Sequence, residues 1–217
     1  MSISSQDSGF VIPERGPRAR TARLILETAV ALMQLGRIPT ISEVAEQAGV
    51  SRATAYRYFP TQTSLVHAVV GSALGPRVDL SMATDDPEAR IEKLITTAMP
   101  RLFRSQTVFR AALKLSLEQS LAQKDDDNPA EPTFKRGNRV ELLRDALSPL
   151  AATLSPDKLD RLTKALSLIF GIEALIIMTD IWNADEQEAG EVALWAAKAL
   201  VRSVLNESSV LNESGDA

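Results

Sequence analysis

Cysteine is absent from this 217-residue sequence, and histidine occurs once, at His67. The absence of cysteine excludes disulfides, thiolate metal sites and thiol nucleophiles. A histidine-based nucleophile relay would depend entirely on His67, and no glycine-rich phosphate loop is present. We therefore expect no enzyme, no cofactor and no metal site. A carboxylate hydrolase stays open as a class, but no residue pattern favours one.

Long apolar runs are also missing. The longest, residues 166–178, contains Glu173 and is shorter than the roughly 20 residues that a membrane-spanning helix needs. It predicts a buried helix and no membrane association. The first nine residues are polar and basic residues follow from Arg15, which is not a signal-peptide pattern. We expect a cytoplasmic protein.

Charge is unevenly distributed along the chain. The whole sequence has a net charge of -4, whereas residues 1–66 hold seven Lys/Arg against five Asp/Glu, a net +2 that leaves -6 for the remainder. A slightly basic N-terminal part (residues 1–66, the head) and an acidic remainder (the body) are typical of a protein that binds nucleic-acid phosphates with one end only.

Apolar residues recur at helical spacing almost throughout and strand-like alternation is rare, so the predicted fold is all-α. A first helix is predicted from Pro17 to Gly36, with an apolar stripe formed by Leu24, Ile25, Thr28, Leu32 and Leu35. After two very short helices, we predict helices at about 63–74, 87–104, 106–123, 134–154, 156–183 and 186–206. The dipeptides Gly75-Pro76, Asp86-Pro87 and Ser155-Pro156 supply helix boundaries, and residues 124–133 are expected to form a surface loop.

Residues 40–59, TISEVAEQAGVSRATAYRYF, are the most informative segment. Thr40 and Glu43 form a capping box that predicts a helix from Ile41, and Gly49 supplies the left-handed conformation that ends it. Ser51 then caps a second helix only two residues later. This pattern predicts a helix-turn-helix, in which Ala55 and Phe59 face inward.

The second short helix should carry an exposed polar and aromatic face. Exposed arginine and tyrosine contribute little to stability, but they suit base edges and phosphates in a DNA groove. Thr61 is predicted to cap the following helix, whose first N–H groups can bind a backbone phosphate. The alternative is a plain helical corner with a solvated face. The candidate DNA-binding residues are Thr40, Ser42, Ser51, Arg52, Ala53, Thr54, Tyr56, Arg57, Tyr58, Thr61 and Gln62.

Residues 18–66 resemble the tetracycline-repressor-like (TetR) family of bacterial regulators, through the first helix, the motif above and the turn into Leu65. The resemblance implies a homodimer, a palindromic operator, repression relieved by a ligand, and dimerisation through the last two long helices. It places Thr40, Ser42, Tyr56 and Tyr58 at DNA-contacting positions, and Arg52, Ala53 and Arg57 at base-facing ones. Many family members carry a phosphate-contacting lysine where this chain has Gln62. The basic residues 15–23 either compensate or form a solvated tail.

The apolar segment 168–178 should be covered on all sides, partly by its own domain and partly by a second subunit. Within it, Glu173 requires a partner, for which Arg136 and Arg139 are candidates; a structural ion pair and a ligand contact are both open. A hydrophobic effector pocket is predicted, and each of its apolar residues could instead be core. The candidate ligand-binding residues are Met99, Phe103, Phe109, Phe134, Arg139, Glu173 and Trp182.

Four regions follow from these observations: a flexible arm at 1–16, a helix-turn-helix DNA-binding domain at 17–62, a ligand-binding and dimerisation domain at 63–206, and a disordered tail at 207–217. The sequence thus predicts an all-α regulator with a three-helix DNA-binding head and a C-terminal helical ligand-binding and dimerisation bundle. Its partners would be a double-stranded DNA operator, a small-molecule effector and a second copy of the chain. The alternative is a helical ligand carrier or adaptor that has lost operator binding.

Overall fold

The computed structural model describes residues 16–80, 85–122, 134 and 138–213, with backbone only for 208–213. These residues form helices and turns and no strand, which confirms the all-α prediction. The helices are α1 (Pro17–Met33), α2 (Ile41–Gln47), α3 (Arg52–Tyr58), α4 (Gln62–Leu74), α5 (Pro87–Arg104), α6 (Gln106–Ala122), α7 (Asn138–Ala146), α8 (Pro156–Ile169), α9 (Ile172–Ile176) and α10 (Glu186–Glu213). The predicted arm up to residue 15 and the loop 124–133 lie outside the described residues.

The chain divides into two compact units, each built from two stretches of sequence. Met1–Gly75 and Ser105–Lys135 form the first unit, which contains α1 to α4 and α6. Pro76–Arg104 and Arg136–Ala217 form the second, which contains α5 and α7 to α10.

In the first unit, α1 buries Ile25 as predicted, but the rest of its buried face differs from the predicted stripe. Ala22, Ile25, Ala29 and Met33 are buried at i, i+3 and i+4 spacing, whereas Leu24 and Leu35 are exposed. Small alanines let neighbouring helices pack closely against this side, so side-chain size, rather than hydrophobicity alone, selects the buried face. The helix ends at Met33, and Gly36 follows with a φ of 79°.

In the second unit, α5 packs against α10 and the two helices are joined by ion pairs. The Arg202 guanidinium donates to both carboxylate oxygens of Glu88, and Lys198 Nζ lies 2.6 Å from Glu92 Oε2. Both boundaries of α5 agree with the prediction. The helix starts at Pro87, where Asp86 accepts a hydrogen bond from the Glu88 N–H.

Three helix predictions in this unit are wrong in extent. The helix predicted at 134–154 is α7 followed by a 3-10 turn at Ser148–Ala152, because Pro149 lacks the N–H that a continuing helix requires. The helix predicted at 156–183 breaks at Gly171, which has a φ of 130°, and ends in a π-helical turn at Ile177–Ile181. The last helix continues to Glu213, into the predicted tail, and residues 214–217 are not among those described.

The segment predicted to be buried on all sides is only partly buried within the chain. Phe170, Ile172 and Leu175 are in the core, but Leu168 is 75% exposed and Ile177 is also exposed. By length and composition alone, Pro156–Ile181 could cross a membrane. The break at Gly171 and the packing of α8 on α7 and α10 are instead those of core helices.

Candidate nucleic-acid interface

The predicted capping box fixes the start of α2. Glu43 N–H donates to Thr40 Oγ1 at 3.2 Å, and Thr40 N–H donates to Glu43 Oε2 at 2.7 Å. Arg37 Nη1 lies 2.8 Å from Glu43 Oε1. The Thr40 backbone hydrogen bond, with the Arg37 side chain beside it, lowers the pKa of Glu43 from 4.5 to about 2. The carboxylate therefore stays ionised and holds the segment ahead of α2 in place.

The turn between α2 and α3 has the conformation that the sequence predicts. Gly49 has a φ of 65°, and Val50 N–H donates to the Ala45 carbonyl at 3.0 Å. Ser51 Oγ then accepts the Thr54 N–H at 3.1 Å as the N-cap of α3. Because a glycine and a serine cap are separated by a single residue, α3 leaves the turn in a new direction. The predicted helix-turn-helix is confirmed.

The inward side of α3 anchors this helix to the first unit. Ala55 and Phe59 have no exposed surface, as predicted, and α2 contributes Val44 and Ala45 to the same core. On the outward side, Arg52, Ala53 and Arg57 are exposed and Tyr56 is 46% exposed. A rigid backbone therefore presents two guanidinium groups and one phenol to the surroundings.

Tyr58 does not belong to that outward face, contrary to the sequence prediction. It is only 6% exposed, and its ring centre lies 5.5 Å from Cζ of Arg57. The reason is helical spacing: Tyr58 follows Ala55 by three residues and therefore shares its buried side. That spacing was visible in the sequence and could have identified it. Tyr58 supports the Arg57 guanidinium through its ring.

Several of the candidate hydroxyl residues serve as caps. Thr40 and Thr61 each accept the N–H three residues on, and Ser51 Oγ lies 2.8 Å from Thr54 Oγ1. These side chains stabilise the starts of α2, α3 and α4 by accepting backbone N–H groups there. Ser42 is half-buried in the first turn of α2.

Gln62 is the first residue of α4, and its amide is turned towards the protein. Its Nε2 donates to the backbone carbonyl of Pro39 at 3.1 Å, across 23 residues of sequence. Sequence reasoning named Gln62 as a candidate DNA-binding residue and noted the lysine that this position lacks, but it did not predict the contact with Pro39. No local pattern reports a hydrogen bond to a residue so far away in the chain.

Basic residues 18–23 lie on α1 and not in an arm preceding it. Arg18, Arg20 and Arg23 are exposed on the first two turns of the helix, and Arg15 is outside the described residues. They add positive charge to the first unit at fixed positions.

The candidate effector residues are divided between the two units. In the first unit, Phe109 is buried, and Phe134 is buried with its ring centre 4.4 Å from that of His67. In the second unit, Met99 is buried and Phe103 is half-buried. Trp182, which directly follows the π-helical turn, is 72% exposed in the single chain, and its place in a pocket stays a prediction.

Glu173 pairs with Arg139, one of the two partners predicted for it. Arg139 Nη1 also donates to the carbonyls of Ser167 and Phe170, at 2.9 Å and 3.2 Å. The guanidinium therefore satisfies carbonyls at the C-terminus of α8, where the helix breaks at Gly171. Its geometry favours the structural ion pair over the ligand contact. Within the described residues, no cluster of three or more His, Asp or Glu side chains could hold a metal ion.

An all-helical chain with a capped helix-turn-helix and an exposed arginine and tyrosine face has the architecture of a helix-turn-helix DNA-binding protein. Residues 25–69 match the family model described as bacterial regulatory proteins, tetR family. The matched residues run from α1 into α4 and include the helix-turn-helix.

One curated relative is the HTH-type transcriptional repressor LfrR of Mycolicibacterium smegmatis, which is 31% identical over 93 residues. That match covers 43% of this chain and 47% of the relative, so it spans about half of the relative's length.

Two solved structures share the fold. A TetR transcriptional regulator from Rhodococcus sp. RHA1 has a TM-score of 0.55 and 21% identity, with 83% of this chain and 96% of that chain covered. A tetR-family transcriptional regulator from Streptomyces coelicolor also has a TM-score of 0.55, at 19% identity, with 90% and 84% covered.

Proposed function

We propose that this protein is a sequence-specific DNA-binding regulator of transcription that acts as a repressor from a palindromic operator. The observation that carries the proposal is the outward side of α3, where Arg52, Tyr56 and Arg57 are exposed on a helix anchored by Ala55 and Phe59. Arginine donates two hydrogen bonds to a guanine edge, and a tyrosine hydroxyl can donate to phosphate. The repressor assignment rests on the name of the relative from M. smegmatis.

The capped helix ends extend this proposed surface. Thr40, Ser42 and Ser51, together with Thr61, lie at helix starts, where free N–H groups favour a phosphate oxygen. Ala53 and Thr54, in the first turn of α3, would approach base edges with Arg52. Tyr58 would act indirectly, by holding Arg57.

Binding to DNA from upstream of the protein's own gene tests this function. We expect saturable, palindrome-dependent binding that is weakened by Tyr56→Phe and by Arg57→Ala, the latter by roughly tenfold or more because a base-contacting arginine contributes about 1–3 kcal/mol of discrimination. Arg144→Ala, which removes the same charge from an exposed position on α7, is the matched control and should leave binding unchanged. Weak binding that is indifferent to sequence and to both substitutions would favour the ligand-carrier alternative.

A homodimer formed through α8 and α10 is the second part of the proposal. Apolar side chains stand exposed on both helices: Leu168 on α8, and Val192 and Trp195 on α10. Ala199, one turn beyond Trp195, is exposed and small, which permits close helix approach. A second copy of the chain would cover this surface and bring two recognition helices to successive major grooves, about 34 Å apart.

A small hydrophobic effector that releases the repressor completes the proposal, with the cytoplasm as its location. Apolar residues of the second unit, such as the buried Met99 and the half-buried Phe103 on α5, are its proposed contacts. Two results would support this part: apolar compounds release the wild-type protein from the operator, and the same compounds no longer release a folded Phe103→Asp variant. A compound that binds tightly and leaves operator affinity unchanged would contradict it.

A further inference from the structure

The first turn of α4 is attached to its surroundings on two sides by adjacent residues. Gln62 Nε2 donates to the Pro39 carbonyl at 3.1 Å, and Thr63 Oγ1 accepts from Gln119 Nε2 at 3.0 Å. Gln119 is on α6, and its Oε1 also accepts the Phe134 N–H at 2.8 Å. The start of α4 is thus bonded both to the segment ahead of the helix-turn-helix and to α6.

The carbonyl that Gln62 binds is at a sensitive position. Pro39 is buried and directly precedes Thr40, the N-cap of α2. A part-buried carbonyl that loses its donor incurs a desolvation penalty, so the bond favours one orientation of the α4 start relative to the α2 start. Because α4 continues from Gln62 to Leu74, that orientation sets the direction in which the chain leaves the helix-turn-helix.

We propose that Gln62 is a positioning residue for operator recognition, which fixes the angle between α4 and the helix-turn-helix through the Pro39 carbonyl. The inference rests on the proposed function and adds to it a residue that need not touch DNA. In a dimer, this angle determines the separation of the two recognition helices and so the half-site spacing that the protein accepts. If the side chain at this position instead contacted a DNA phosphate, its removal would leave the preference for one half-site spacing unchanged.

The test compares wild-type protein with Gln62→Met, which has nearly the same size and removes the donor. Binding is measured to three DNAs: the operator, an operator with one base pair added between the half-sites, and random sequence. We expect wild type to prefer the correct spacing by roughly tenfold, and Gln62→Met to prefer it by less than about threefold. Affinity for random DNA should not change, because no phosphate contact is lost.

Two further variants make the experiment decisive. Gln106→Met is the matched control, since Gln106 is likewise the first residue of a helix of the first unit, and it should keep the wild-type spacing preference. Gln62→Glu also lacks the donor, and it carries the test if Gln62→Met fails to fold. It should lose spacing preference and additionally bind every DNA more weakly because of its negative charge.

Each alternative has a distinct result. Equal weakening on all three DNAs would identify a direct phosphate contact, and a lower melting temperature with unchanged spacing preference would identify a purely structural role; either result overturns the inference alone. Wild-type protein that does not prefer any sequence would overturn the proposed function, and this inference with it.

Discussion

Arg139 and Gly171 depend on each other at the break between α8 and α9. The guanidinium occupies the space beside Gly171, where an added Cβ would lie 2.9 Å from Arg139 Cζ. The glycine also has a φ of 130°, which side chains disfavour. Both effects act in the same direction, so a side chain at residue 171 is disfavoured while Arg139 is in place.

Gly171→Ala should therefore lower the free energy of unfolding by about 2 kcal/mol or more, from backbone strain and displacement of Arg139. Denaturant titration followed by circular dichroism measures this change. Gly71→Ala is the matched control: Gly71 lies within α4, and its added Cβ would meet no atom within 4 Å. That substitution should raise the free energy of unfolding by about 0.5–1 kcal/mol. Equal effects of the two substitutions would contradict the role of the break.

Glu43 gives the helix-turn-helix a defined acid sensitivity. Its pKa in the folded protein, about 2, is below the ordinary 4.5, so its contribution to stability is complete above pH 4.5 and is lost as the pH falls towards 2. Glu43→Gln should remove this part of the dependence and flatten the stability curve between pH 4.5 and 2. The measurement is thermal unfolding across that range. Glu46→Gln, exposed on the same helix, controls for the loss of one carboxylate; an equal flattening by Glu46→Gln would contradict the assignment.

Residues whose roles depend on neighbours in sequence were predictable. The capping pairs of Thr40 with Glu43 and of Ser51 with Thr54 join residues three positions apart, so the sequence shows both partners. Gln62 pairs with Pro39 through the folded chain, and no local pattern reports that contact. The contacts of Arg139 were predictable in part. The sequence showed that Glu173 needs a cationic partner, but it did not show that the same guanidinium also binds backbone carbonyls.

Among the helices, α3 is short enough for a single cap to matter. Seven residues form few internal hydrogen bonds, and Ser51 supplies the side-chain acceptor at its start. Ser51→Ala should lower the free energy of unfolding by about 1 kcal/mol and weaken operator binding. Ser51→Asp retains a cap acceptor but adds negative charge beside the proposed DNA surface.

The aspartate variant should thus unfold like wild type and still bind DNA more weakly, with the difference decreasing at high salt. Thermal unfolding together with salt-dependent binding separates the two roles. If Ser51→Asp binds DNA at low salt with the same affinity as wild type, Ser51 does not lie close to the DNA, and the prediction is wrong.

Helix boundaries were predictable where a side-chain cap marks the start of a helix, with or without a proline after it. Asp86 and Pro87 fix the start of α5, and Ser155 and Pro156 that of α8. Inside an apolar run the sequence gives no comparable indication. From the sequence alone, Gly171 is indistinguishable from a glycine inside a continuous helix. Only the structure shows that Arg139 occupies the space beside it.

At the scale of the whole molecule, exposed apolar surface on α8 and α10 is the feature that one chain leaves unexplained. Trp195 is 73% exposed on a long, well-formed helix. If a second copy covers it, Trp195→Glu should raise the dimer dissociation constant by at least about thirtyfold, the effect of losing a central aromatic contact. Sedimentation equilibrium measures it.

Leu117→Glu replaces an exposed apolar residue of α6 and is the control, which should leave association unchanged. A wild-type protein that is monomeric at micromolar concentration would contradict the dimer. So would equal weakening of association by both substitutions.

The two compact units interleave along the chain, and this has a consequence for synthesis. The first unit needs α6, which follows α5 of the second, and α6 supplies Gln119 to Thr63. A ribosome-bound chain that has exposed only α1 to α4 therefore lacks one wall of the unit. The DNA-binding head, although it begins the sequence, should reach its final protection from proteases only after α6 has left the exit tunnel.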